Sequence, residues 1–122
     1  MKEAIKYLIV PTMGIFLLSG CIEQPKPLYN WGNYVASTGE YTIKGHEKEV
    51  REKHSAELKN MIEESQSKDM RVPPGIYAEY GQVLFESAQP SEAKKYFLLE
   101  KNTYPESTIF IDRVIKKLYG DN

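Results

Sequence analysis

Residues 74–105 read PGIYAEYGQVLFESAQPSEAKKYFLLEKNTYP, and this stretch decides the fold. Apolar and small residues recur in it at intervals of three and four, in two runs separated by SAQP at 87–90. The residues of the two runs are Tyr77, Tyr80, Gly81, Leu84, Ala93, Tyr96 and Phe97. That spacing is typical of helices that bury one face. Pro105 ends the second run, because proline cannot continue a helix. The sequence therefore predicts a helical hairpin.

A third apolar stripe predicts one more helix after Pro105. Its members share one helix face and are Ile111, Val114, Ile115 and Leu118. Ser107 is the expected N-cap of this helix, and Gly120 is its expected end.

Two further helices are expected before the hairpin. Residues 46–66 are dense in charge and place apolar side chains and His54 on one face, at Val50, His54, Leu58, Met61 and Ile62. Glutamates alternate with Lys and Arg elsewhere on this helix, which is typical of a solvated face. His54 is interpreted as a packed residue rather than a ligand, since no second histidine or carboxylate accompanies it at a metal-ligand spacing.

Residues 29–43 predict the first helix. Its stripe consists of Trp31, Tyr34, Val35, Thr38 and Tyr41. Gly32 and Gly39 weaken it. The Trp31–Tyr34 cluster is interpreted as core of this helix rather than as a binding patch. The fold class is therefore all-α, with about five helices over residues 29–122.

The hairpin is similar to a tetratricopeptide repeat, a 34-residue helix pair with small and large residues at fixed offsets. With Pro74 at the first repeat position, five positions match the repeat: Gly81, Leu84, Ala93, Phe97 and Pro105. The repeat needs small residues where its helices cross and a large ring beyond the crossing. Glu100 departs from the usual Ala and suggests a wet edge or a non-standard continuation. Residues from Thr108 onward then resemble a C-terminal capping helix.

The N-terminal residues are typical of a targeting segment. Residues 1–20 carry lysines at positions 2 and 6 and an apolar run of about twelve residues, against roughly twenty for a membrane-spanning helix. The segment ends Leu18-Ser19-Gly20-Cys21, which resembles the bacterial lipobox. The resemblance implies cleavage before Cys21 and covalent lipid, including palmitate, on that residue. Residues 21–28 would then form the lipidated cysteine and a short tether, IEQPKPL.

The mature chain also resembles a domain-of-unknown-function family of small bacterial lipoproteins. The lipobox at Cys21 carries this resemblance together with residues 29–34, 72–81 and 100–107. Such genes commonly lie beside one for a lipoprotein similar to the curli secretion channel. The resemblance therefore implies an envelope complex, with other envelope lipoproteins as partners, but it supplies no activity. Ile22 after the cysteine, in place of an acidic residue, favours the outer membrane, facing the periplasm.

The net charge and the residue types argue against several classes of function. The formal net charge of -1 gives no electrostatic case for binding nucleic acid or an anionic membrane surface. We expect no catalytic residues, no metal site and no cofactor beyond the lipid, so an enzyme is not expected. The favoured hypothesis is a non-catalytic interaction or assembly module. The alternative is a structural lipoprotein that binds peptidoglycan non-covalently.

Four residues are candidates for partner contact: Tyr77, Tyr80, Gln82 and Lys101. For each of them, an ordinary core position or a solvated face is favoured over contact.

Overall fold

The computed structural model describes residues 25–120 of the chain. The predicted signal peptide and the lipobox with Cys21 lie outside these residues. Within them the chain forms five α-helices and one 3₁₀ turn, Pro105–Ser107, and no strand. The helices are α1 Tyr34–Lys44, α2 Lys48–Ser67, α3 Ile76–Glu86, α4 Pro90–Thr103 and α5 Thr108–Tyr119. The prediction of an all-α fold of about five helices is confirmed.

Each helix packs against the next one along the chain, and the α3–α4 pair has the most extensive contact. The core lies between α2, α3, α4 and α5. The apolar stripe predicted for α2 is buried, including His54. Helix α5 joins the core through Ile111 and ends at Tyr119, directly before Gly120, the expected stop.

The α3–α4 crossing is close because Gly81 has no side chain. A Cβ atom on Gly81 would lie 3.0 Å from the Phe97 ring and 3.1 Å from the carbonyl oxygen of Ala93. Leu84, Ala93 and Phe97 are all buried here. Helix α4 ends at Thr103, and Pro105 opens the 3₁₀ turn that leads into α5. These are the positions of the repeat resemblance, which itself stays a prediction.

The first helix is shorter than predicted. Helix α1 begins at Tyr34 rather than at residue 29, because residues 31–34 form a turn in which Gly32 takes a positive φ of 45°. Trp31 and Val35, expected in the core, are exposed, and Ser37 is buried instead. The core interpretation of the Trp31–Tyr34 cluster is therefore wrong for Trp31.

Two local expectations at helix ends also fail. Ser107 does not cap α5, because its hydroxyl donates to the carbonyl of Tyr104 at 2.7 Å. For Glu100, the alternative of a solvent-exposed edge is wrong, and the alternative of a non-standard continuation stays a prediction. Glu100 is buried and accepts the backbone N–H of Gly75 at 2.8 Å, so it serves the N-terminus of α3.

Candidate interaction groove

A groove of about 310 Å³ runs between α3 and α5, with α4 beneath it. Its lining is mostly apolar and consists of Gly75, Ala78, Glu79, Gln82, Phe97, Phe110 and Val114. An apolar concavity with a few polar groups on one wall is the usual form of a binding site.

Phe110 forms the rim of this groove on the α5 side. Its side chain is 62% exposed although it is a large aromatic residue. Helix α5 reaches the core through Ile111, so the side chain of Phe110, one residue earlier, is left outside it. Exposed aromatic residues beside a pocket are typical anchors of protein–protein contact.

Glu79 is the charged residue of the opposite wall. One carboxylate oxygen accepts the hydroxyl of Tyr34 at 2.7 Å, and the other lies 3.0 Å from Nε2 of His54. Burial raises the pKa of Glu79, but the hydrogen bonds from His54 and Tyr34 outweigh this and hold the pKa below its usual value. The groove therefore carries a carboxylate charge at neutral pH.

Behind Glu79 lies a buried polar network that joins three helices. Nδ1 of His54 on α2 lies 2.7 Å from the hydroxyl oxygen of Ser37 on α1. The ring of Tyr41 stacks on the imidazole with centroids 4.4 Å apart. The hydroxyl of Tyr41 donates in turn to Glu86 of α3 at 2.7 Å. Helix α1, which contributes few residues to the core, is fixed to α2 and α3 by these polar contacts.

The hydrogen-bonded series Ser37, His54 and Glu79 has the same residue types as a catalytic triad with a serine nucleophile. A working nucleophile needs an open approach and donors for the developing oxyanion. Ser37 is buried, and its backbone N–H is engaged by the carbonyl of Asn33. The geometry therefore supports a structural role for this network. Sequence reasoning missed it because its members lie 17 and 25 residues apart on three different helices.

The structure places the four candidate contact residues in different environments. Gln82 lines the groove, and its side chain donates to Glu86 at 2.8 Å. Lys101 is paired with Asp112 at 2.6 Å. Tyr77 and Tyr80 are buried, so the interpretation as core positions is confirmed for both.

A second cleft, of about 450 Å³, lies between α2 and the α3–α4 turn. Charged side chains, among them Lys48, Arg51 and Lys59, line it, so it lacks the apolar character of the groove. Residues 25–120 contain no cluster of side chains suited to hold a metal ion. Over the same residues, no helix combines the length and the apolar character needed to span a bilayer.

Comparison with known proteins gives one match. Neither the curated proteins nor the solved structures contain a match to this chain. The family model for a domain of unknown function, DUF4810, matches residues 28–114, which include all of α1, α2, α3 and α4 and the groove residues of α5. The expectation of a domain-of-unknown-function family is confirmed, and this chain belongs to the DUF4810 family.

Proposed function

We propose that this protein is an outer-membrane lipoprotein, anchored through Cys21 and facing the periplasm, whose tetratricopeptide-like domain is a non-catalytic interaction module of an envelope complex. The observation that carries the proposal is the apolar groove between α3 and α5 with the exposed Phe110 at its rim. The lipobox resemblance at residues 18–21 supports the anchor, and the short tether keeps the domain near the membrane.

The groove is suited to an apolar side chain of a partner. Phe97, Phe110 and Val114 offer apolar surface. Glu79 and Gln82 offer polar groups that can fix the orientation of the bound segment. Other envelope lipoproteins, including one similar to the curli secretion channel, are the partners that the gene context of similar proteins suggests.

Site-specific photo-crosslinking in living cells tests this proposal. A photoreactive phenylalanine analogue replaces Phe110 in one strain and Ile109 in a control strain. Ile109 is 68% exposed and adjacent in the chain, but it does not line the groove. We expect a discrete adduct with an envelope lipoprotein from position 110 and a much weaker one from position 109. Equal yields from both positions, or none from either, would contradict the groove as the contact surface.

The same cells distinguish the interaction module from the alternative, a structural lipoprotein that binds peptidoglycan. Recovery of peptidoglycan fragments on the protein, without any protein adduct at position 110, would favour the structural lipoprotein instead.

A further inference from the structure

Helix α1 has an outer face without a single charged side chain. Its exposed residues on that side are Val35, Ala36, Gly39, Thr42 and Ile43, which we call the α1 face. Val35 is 85% exposed and Ile43 is 76% exposed. The acidic residue of α1, Glu40, is held toward α2 by its ion pair with Lys53 at 2.6 Å.

This face is unusual for a helix at the surface of a soluble domain. Such a helix normally carries charged residues on its outer side. Helix α2 of this chain follows that rule, with exposed charges at Lys48, Glu49, Glu52, Lys53, Lys59, Glu63 and Glu64. The segment just before α1 also exposes apolar side chains, since Leu28 is 74% exposed and Trp31 is 44% exposed. Four large apolar side chains are thus exposed within residues 28–43.

This surface lies close to Cys21 along the chain. Leu28 lies seven positions after Cys21. Even when fully extended, that length of chain spans at most about 25 Å. If Cys21 is acylated, as the proposed function holds, α1 is the helix nearest to the anchor along the chain. An anchored chain also makes a second, weak contact intramolecular, so modest affinity is enough.

We propose that the α1 face, together with Leu28 and Trp31, rests on the lipid surface and sets the orientation of the domain. The inference rests on the proposed lipid anchor at Cys21. Contact with lipid is favoured because this surface is uncharged and apolar and because an indole ring is suited to the membrane interface. Apolar contact is the main attraction, since none of the five residues of the α1 face is charged. The exposed lysines nearest to this face along the chain, Lys44 in the last turn of α1 and Lys26 before Leu28, can add attraction to anionic headgroups.

The lipid-facing surface and the groove do not compete. No residue of α1 lines the groove, which α3, α4 and α5 form. The domain can therefore lie on the membrane and hold a partner in the groove at the same time.

Trp31 supplies the probe for the test, because it is the only tryptophan of the chain. The full-length protein, purified from membranes, is reconstituted into phosphatidylethanolamine–phosphatidylglycerol vesicles with or without lipids brominated near the headgroup. We expect a blue shift of the Trp31 emission and quenching by the brominated lipids.

Variants with a charge on the α1 face provide the comparison. Val35→Glu and Ile43→Glu should each weaken the quenching about twofold or more, because a carboxylate resists entry into the interface. Both positions are largely exposed, so the fold is retained, which far-ultraviolet circular dichroism checks. Asn60→Glu adds the same charge at an exposed position of α2 and should leave the quenching unchanged.

The outcomes separate this inference from the proposed function. A mass without acyl chains and a failure to float with vesicles would overturn the anchor and this inference together. An acylated, vesicle-bound protein whose Trp31 is not quenched would overturn this inference alone. A third variant, Ile43→Cys, has one free thiol when Cys21 is acylated. Rapid disulfide dimerisation of it on vesicles, without Trp31 quenching, would show that the face contacts a second copy and would also overturn the inference.

Discussion

The carboxylate of Glu100 accepts the backbone N–H of Gly75 at 2.8 Å, so a residue of α4 closes the N-terminus of α3. Gly75 precedes α3 with a positive φ of 87° and brings no side chain that could cap the helix. The first N–H groups of a helix need acceptors, and a negative charge is favourable at that end. Glu100 thus replaces a local cap with a tertiary one and ties α4 to α3.

Replacing Glu100 by Ala should lower the free energy of unfolding by about 0.5–2 kcal/mol, because the N–H of Gly75, at the N-terminus of α3, loses the side-chain acceptor that caps it. Urea denaturation of the purified domain measures the loss. Asn102→Ala, at an exposed position of the same helix, is the matched control and should change stability by less than about 0.5 kcal/mol. Equal effects of the two substitutions would contradict the capping role.

Glu100 should also make stability depend on pH. Burial raises its pKa, and the hydrogen bond from Gly75 offsets this only in part. The folded state therefore binds the proton more tightly than the unfolded state, so this group's contribution to stability falls as pH rises above the ordinary carboxyl range, near pH 4. Glu100→Gln cannot titrate. We expect the free energy of unfolding of this variant, relative to the natural chain, to increase between about pH 4 and pH 7. A difference that stays constant or decreases with pH would refute this account.

The network around His54 predicts a further loss of stability. Ser37→Ala leaves Nδ1 of the buried His54 without its partner, so we expect the free energy of unfolding to fall by about 1–3 kcal/mol. Thr42→Ala removes a hydroxyl from an exposed position of the same helix and should change stability by less than about 0.5 kcal/mol. Thermal unfolding followed by circular dichroism compares the two. A Ser37→Ala domain as stable as the Thr42→Ala domain would mean that the network does not hold α1 in place.

Two glycines in helices should respond in opposite directions to alanine. At Gly81 the added methyl group meets the Phe97 ring and the Ala93 carbonyl at 3.0–3.1 Å, so overpacking should exceed the gain in helix propensity, for a net loss of about 1–2 kcal/mol. At Gly39 nothing beyond the adjacent residues and the local helix backbone lies within 4 Å of an added Cβ atom, so the same change should add about 0.5–1 kcal/mol. Chemical denaturation of both variants measures the sign of the change in the free energy of unfolding. A gain at Gly81 would show that the helices can move apart at no cost.

Sequence periodicity predicted the helices whose core side is apolar. Helix α2 is the clear case, because the side chains of Val50, Leu58 and Met61 are buried as their spacing indicates. Helix α1 was placed less well, because its inner side combines two partly buried tyrosines with a buried serine, and much of its apolar surface faces outward. A pattern that assigns apolar residues to the core then selects Trp31 and Val35 instead of Ser37.

The polar contacts and the groove could not be predicted from the sequence. Glu100 falls on the buried stripe of α4, but its partner Gly75 lies 25 residues away and offers only a backbone N–H. The partner of His54, Glu79, is equally distant and belongs to another helix. The groove is lined jointly by α3, α4 and α5, and the hydrophobic period of one helix carries no information on how neighbouring helices are spaced.

Cys21→Ala tests the anchor on which the proposed function depends. Without the thiol no thioether to diacylglycerol can form, so we expect neither acylation nor cleavage before residue 21. The product should run as a precursor that retains residues 1–20 and should not label with an alkyne analogue of palmitate. Ser19→Ala keeps a small residue at its position and should still be processed and labelled. Cys21 is the only cysteine of the chain. A Cys21→Ala protein that has the mature size and still labels would therefore contradict the anchor at Cys21.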